Sequence, residues 1–121
     1  MEKAYSKIGV VEYPTKSNSG KDVEIFLNSV GLTKGNPWCA AFCQWAYRRT
    51  ADELGVIFQL PKSGHSLTLL NYSKKNCIST SYNPEYGDWV IFGRGYGSSG
   101  HCALMVSITQ DSLTTIDGNT S

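Results

Sequence analysis

Apolar positions along the chain change their period near its middle. In the first half they recur at helical spacing. Ala4, Tyr5, Ile8 and Val11 predict a short amphipathic helix that ends near Gly9 and before Pro14. The polar stretch from Thr15 to Gly20 reads as a loop. Val23, Phe26, Leu27 and Val30 then fall on one helical face, and Gly31 suits the C-terminal cap of that second helix. The third helix carries the strongest local signal. Asn36 is a good N-cap, and Pro37 is the residue preferred at the first helical position. From Trp38 to Tyr47 the chain is apolar on nearly every side, which predicts a helix buried on most of its faces. Arg48 and Arg49 place positive charge toward its later turns, where the helix dipole favours it. A fourth helix is predicted from about Ser66 to Lys75.

In the second half the apolar runs are short and bounded by turn residues. Asp88 to Phe92, Cys102 to Ile108 and Leu113 to Asp117 are rich in β-branched side chains and too short for buried helices, so they predict strands. Helices first and strands afterwards predict an α+β fold, with the N-terminal helices packed on a C-terminal antiparallel β-sheet.

Composition narrows this picture. The chain has 121 residues, which predicts one domain over residues 1–121. Hydrophobic residues make up 40% and aromatic residues 12%, enough to build a core and too many for a disordered chain. The net charge of +1 gives no field that would attract nucleic acid or an anionic membrane. The longest unbroken apolar run, Pro37 to Cys43, is too short to span a bilayer, so no membrane insertion is expected. The N-terminal residues lack the apolar core of a secretion signal, which predicts synthesis in the cytoplasm without a signal peptide. With no such signal, the four cysteines give no case for a disulfide framework.

Candidate chemistry begins with the cysteines. Cys39 falls at the third position of the predicted third helix, where unpaired backbone N–H groups and the positive end of the dipole stabilise a thiolate. Position alone leaves two readings open, an activated thiol or a small core residue. Cys43 lies one turn deeper, beyond the reach of that effect, and reads as structural. Cys77, at a helix-to-strand junction, does too.

Two histidines, His65 and His101, are available to any mechanism that needs one. His101 opens a strand after the glycine-rich loop Gly93 to Gly100, a position that faces a cleft. His65 lies at the polar start of the fourth helix and reads as exposed or capping. The G-x-G-x-x-G match from Gly95 to Gly100 lacks the following helix that a dinucleotide site needs. Asp117 and Asn119 share one strand face, and either can accept a hydrogen bond from a histidine ring and fix its tautomer. The competing reading of Asp117-Gly118-Asn119 is a plain turn. A zinc site of Cys39, Cys43 and His101 is a chemical rival. It is short of ligands, because Cys102 points away from His101 if both lie in one strand.

Taken in order, four segments resemble the CHAP domain, the cysteine- and histidine-dependent amidohydrolase/peptidase family. They are Asn36-Pro37-Trp38-Cys39-Ala40-Ala41-Phe42, Gly87-Asp88-Trp89-Val90-Ile91-Phe92, Gly100-His101-Cys102-Ala103 and Thr115-Ile116-Asp117-Gly118-Asn119-Thr120. The family is related to NlpC-type peptidases and has a papain-like fold. Many members are phage endolysins or autolysins that cut amide bonds of peptidoglycan. The resemblance implies Cys39 as nucleophile and His101 as base. It puts the third catalytic position at Asp117, with Asn119 matching the asparagine that follows. Asp117 stands where the family more often has glutamate.

The resemblance further implies an oxyanion hole that includes the Cys39 N–H, with the Asn36 side chain as a candidate second donor beside its simpler reading as an N-cap. Trp38 and Tyr96 are candidates for lining a substrate groove, whereas Trp89 reads as core. Some members hold calcium through acidic residues ahead of the cysteine. Thr33 to Trp38 contains none, so neither calcium nor any other metal or cofactor is expected. The expected partner is the peptidoglycan substrate, met at the cell wall, in the periplasm or outside the cell by a monomer. Alternatives from other classes are a catalytically silent wall-binding module and a zinc-stabilised interaction domain. The sequence stops two residues after Asn119, where family members run on into further strands, so a domain cut short or a sheet that ends early is expected.

Overall fold

A computed structural model describes residues 1–10, 17–75, 85–93, 100–110 and 112–118. Four helices precede three strands: α1 (Glu2–Tyr5), α2 (Lys21–Asn28), α3 (Cys39–Leu54), α4 (Ser66–Lys75), β1 (Trp89–Phe92), β2 (His101–Ile108) and β3 (Leu113–Asp117). The strands form one antiparallel sheet in the order β1-β2-β3, with β2 in the middle. The fold class is therefore α+β, with the helices and strands close to where the apolar periodicity puts them.

The first helix is shorter than its periodicity predicts. It makes one turn, and only Ala4 is buried. Beyond Tyr5 the amides of Lys7, Ile8 and Val10 bond three residues back, so the chain winds through tight turns and Ile8 leaves the Ala4 face. Val11 lies outside the described residues. The second helix ends as its sequence predicts. Gly31 is left-handed at φ 79°, its N–H bonds the Asn28 carbonyl, and the Leu32 N–H bonds that of Leu27. This is a Schellman cap, and it needs a residue that tolerates positive φ.

The core lies between α2, α3 and β2. Phe26 of α2 sits at its centre, with its ring centroid 5.8 Å from Trp38, 5.3 Å from Phe42 and 5.1 Å from Trp45. Such offset and edge contacts add to the area each ring removes from water. Ala40, Ala41, Cys43 and Ala46 of α3 are buried alongside them, so that helix is covered on most faces as expected. Its small side chains let it approach Cys102 and Leu104 of β2, both fully buried.

Two local expectations for α3 are corrected. The helix starts at Cys39 with Trp38 as the N-cap residue, not at Pro37 with Asn36 as the cap. The Asn36 amide is turned the other way and donates to the Thr33 carbonyl at 2.9 Å, within the turn that Gly35 makes at φ 97°. Arg48 and Arg49 also do not lie at the helix end. The helix continues to Leu54 and stops at the left-handed Gly55, so the arginines fall in its interior. Arg48 instead donates to Gln44 Oε1 and to the Leu60 carbonyl, each at 2.7 Å. The fully buried Gln44 amide donates to the Pro61 carbonyl at 2.6 Å. Together they pin the connection leading into α4, and so set where Ser66 begins that helix.

Candidate active site

Three elements bring their ends together. The N-terminus of α3 supplies Cys39, the start of β2 supplies His101, and the end of β3 supplies Asp117. Ala103 and Asp117 are register partners, so they share a sheet face, and His101 lies two residues before Ala103 on that face. His101 and Asp117 are therefore diagonal neighbours, and His101 Nε2 lies 2.8 Å from Asp117 Oδ2. The hydroxyl of Thr115, two residues back on the same face, donates to Asp117 Oδ1. Both carboxylate oxygens are thus held.

Two glycines make this approach possible. Gly100 precedes His101 with φ 73°, and a Cβ there would come within 2.8 Å of the Phe92 carbonyl oxygen. Gly118 follows Asp117, and a Cβ there would come within 2.9 Å of the Trp38 ring and 3.0 Å of Phe42 Cβ. The end of β3 can press against the start of α3 only because residue 118 has no side chain. The His101 ring itself stacks on Phe92, with centroids 6.1 Å apart.

The electrostatics are those of an ion pair. Asp117 accepts from one ring nitrogen and holds the proton on His101, and Cys39 adds to the effect, so the imidazole is pushed up to about 10. For Cys39 the largest influence is burial, which opposes ionisation. Hydrogen bonds from His101, the Cys102 backbone and Ser66, with the positive imidazole, outweigh it and lower the thiol below its usual value. Asp117 is likewise opposed by burial, but its bonds to His101 and Thr115 keep it below the ordinary carboxylate range. Asp117 takes Nε2, which leaves Nδ1 as the ring nitrogen for exchange with the thiol. Because the helix starts at Cys39, its backbone N–H is the first of the amides without an intrahelical partner.

The structure brings Cys39, His101 and Asp117 together. Cys43 is not part of the group. Its sulfur lies 3.5 Å from that of Cys102, on the other side of β2 from the His101–Asp117 pair. The opposite directions of His101 and Cys102 follow from strand alternation, and the donor set of the zinc reading is split between the two faces. Asn119, Tyr96 and Cys77 lie outside the described residues. Asn36 directs its amide at Thr33. Trp38 is buried and packs on Phe26 and against Gly118, while its ring also lines a cleft of about 220 Å³ whose rim includes Asp117. Trp89 packs edge-on against Tyr47, as a core residue would. His65 is exposed, and its carbonyl accepts the Leu69 N–H in the first turn of α4.

Sequence reasoning missed Ser66. Its side chain is buried, with Oγ 3.8 Å from Cys39 Sγ. A serine at the start of a helix reads as a cap, and nothing in its spacing from Cys39 marks it as a neighbour of the thiol. Only the pinning of the 60–63 connection by Gln44 and Arg48 brings the two together.

A family model described as the CHAP domain matches residues 31–119, about three-quarters of the chain. Neither the curated proteins nor the solved structures gave a match.

Proposed function

We propose that this chain, which belongs to the CHAP domain family, is a cysteine-dependent hydrolase that cuts an amide bond of peptidoglycan. The family is one of amidase- and peptidase-type hydrolases. The observation that carries the reading for this member is a buried imidazole held by Asp117 on one side and bonded to the Cys39 thiol on the other.

The chemistry follows from that arrangement. In the resting pair the sulfur carries the negative charge and His101 the proton. The thiolate attacks the amide carbonyl, a C–S bond forms, and the carbonyl electron pair moves to oxygen. The Cys39 N–H donates to that oxyanion. His101 passes its proton to the amide nitrogen, the C–N bond breaks, and the amine leaves. The acyl group now sits on sulfur, so the thiolate that helped to hold the imidazole proton is gone. His101 is then able to take a proton from water. The resulting hydroxide attacks the thioester, and the carboxylic acid leaves as the thiolate is restored. Asp117 keeps the ring oriented through both halves. The enzyme needs no metal for these steps and acts as a monomer at the wall, in the periplasm or outside the cell.

Purified peptidoglycan digested with the protein, followed by mass spectrometry of the fragments, tests this and names the bond. New amine and carboxyl ends should appear with the wild-type chain and be absent with Cys39→Ala. Intact muropeptides after treatment with the folded wild-type protein would leave a silent wall-binding module as the better reading.

A further inference from the structure

The mechanism uses Cys39 and, among the described residues, leaves two buried thiols without a task. Cys43 and Cys102 are both fully buried, one on α3 and one on β2, and their sulfurs are 3.5 Å apart. Each is next to a catalytic group: Cys43 lies one helical turn after Cys39, and Cys102 directly follows His101. We infer that Cys43 and Cys102 are a disulfide site, closed when the chain folds in the presence of a disulfide oxidant, and that the bond staples the helix of the nucleophile to the strand of the base.

The geometry is close to what the bond requires. A disulfide holds its sulfurs about 2.05 Å apart, so the two must approach by about 1.5 Å, a movement on the scale of side-chain rotation. The site is built for this pair and no other among the described cysteines. Cys39 faces His101 and Ser66 instead.

The step balances with an oxidant of the low-molecular-weight disulfide class. One cysteine thiolate attacks the oxidant, displaces one small thiol and forms a mixed disulfide. The second cysteine attacks the protein sulfur of that intermediate and displaces the other small thiol. Two electrons and two protons leave the protein, and the oxidant departs as two thiols. In the finished fold this exchange is blocked: both sulfurs are sealed from solvent, and burial pushes the Cys43 thiol up. The bond therefore forms while the chain folds, before the core closes over it. Once made, it closes a long loop and restricts the unfolded chain. It also removes these two thiols from any wrong pairing with Cys39.

The test refolds the full chain from denaturant with oxidised and reduced glutathione, blocks remaining thiols with an alkylating agent, and maps the peptides by mass. The expected result is a Cys43–Cys102 linked peptide about 2 Da lighter than the sum of its two reduced halves, together with an alkylated Cys39. The linked form should melt about 10 °C above the same protein after reduction under denaturing conditions and refolding with reductant. Cys43→Val and Cys102→Val, made separately, should each lose the linked peptide and the difference in melting. Folded protein from the oxidising buffer with both thiols still alkylatable on denaturation would overturn the inference. So would a bond to Cys39, or a linked form that melts no higher than the reduced one.

Discussion

His101 Nε2 and Asp117 Oδ2 lie 2.8 Å apart, joining the first residue of β2 to the last residue of β3. The contact runs diagonally across one sheet face, and the second carboxylate oxygen is held by Thr115. Asp117 is thus a fixed acceptor, and its bond is the largest influence keeping His101 protonated.

Replacing Asp117 should therefore act on the rate more than on substrate binding. Asp117→Ala is expected to lower kcat by roughly a hundredfold or more, because both the ring orientation and the charge are lost. Asp117→Asn should keep part of the rate, since it can still orient the ring without holding its charge. Asn119→Ala should cost less than Asp117→Ala. Steady-state kinetics on soluble muropeptides check the order, and a nearly inactive Asn119→Ala beside an active Asp117→Ala would transfer the orienting role to Asn119.

Ser66 contacts the Cys39 sulfur from α4 and favours its charged form. Ser66→Ala should raise the pH at which Cys39 ionises and lower kcat/KM by about tenfold, in line with losing one hydrogen bond to a charged group. Ser66→Thr, which keeps the hydroxyl at this position, should recover part of the loss. The pH profile separates this role from mere packing, because a packing defect lowers the melting temperature without moving the thiol ionisation.

Gly118 allows β3 to end against Trp38 and Phe42. Gly118→Ala forces a methyl group to within 2.9 Å of the Trp38 ring, so the strand end and Asp117 must shift. The expected cost is about 1–3 kcal/mol in stability, read by denaturant unfolding, with a loss of activity beyond what the unfolded fraction explains. Unchanged stability and full activity would mean that the strand end is not held at this contact.

Much of the fold is legible in the sequence, for reasons that differ by element. β3 and α4 match their predicted bounds because local patterns dominate there: a β-branched run in one case and a polar start followed by apolar spacing in the other. The start of α3 is misread because Asn36-Pro37 carries the local signature of a helix beginning. The turn at Gly35 uses the Asn36 amide for the Thr33 carbonyl and moves the start to Cys39. That shift puts the thiol nearer to the helix end than the sequence predicts and strengthens its case. α1 is misread because amphipathic spacing says nothing of the tight turns that follow Tyr5. At the site, strand alternation alone separates His101 from Cys102 and puts Asp117 on a definite face. The meeting of Ser66 with Cys39 depends on tertiary hydrogen bonds from Gln44 and Arg48, which no local pattern encodes.

The proposed chemistry depends on one relationship, the ionisation of Cys39 by a His101 that Asp117 keeps charged. Burial alone would raise the thiol, so any lowering must come from its partners, with His101 the largest of them. The direct measurement is the rate of Cys39 alkylation against pH in the wild type and in His101→Ala, with the labelled residue identified by peptide mass. In the wild type the rate should rise below the ordinary thiol value of 9.0, and hydrolysis should fall again as His101 loses its proton near 10. In His101→Ala the favourable charge is gone, burial prevails, and the midpoint of alkylation should move up. Superimposable profiles in the two proteins, or a wild-type midpoint at or above the ordinary thiol value, would contradict the account.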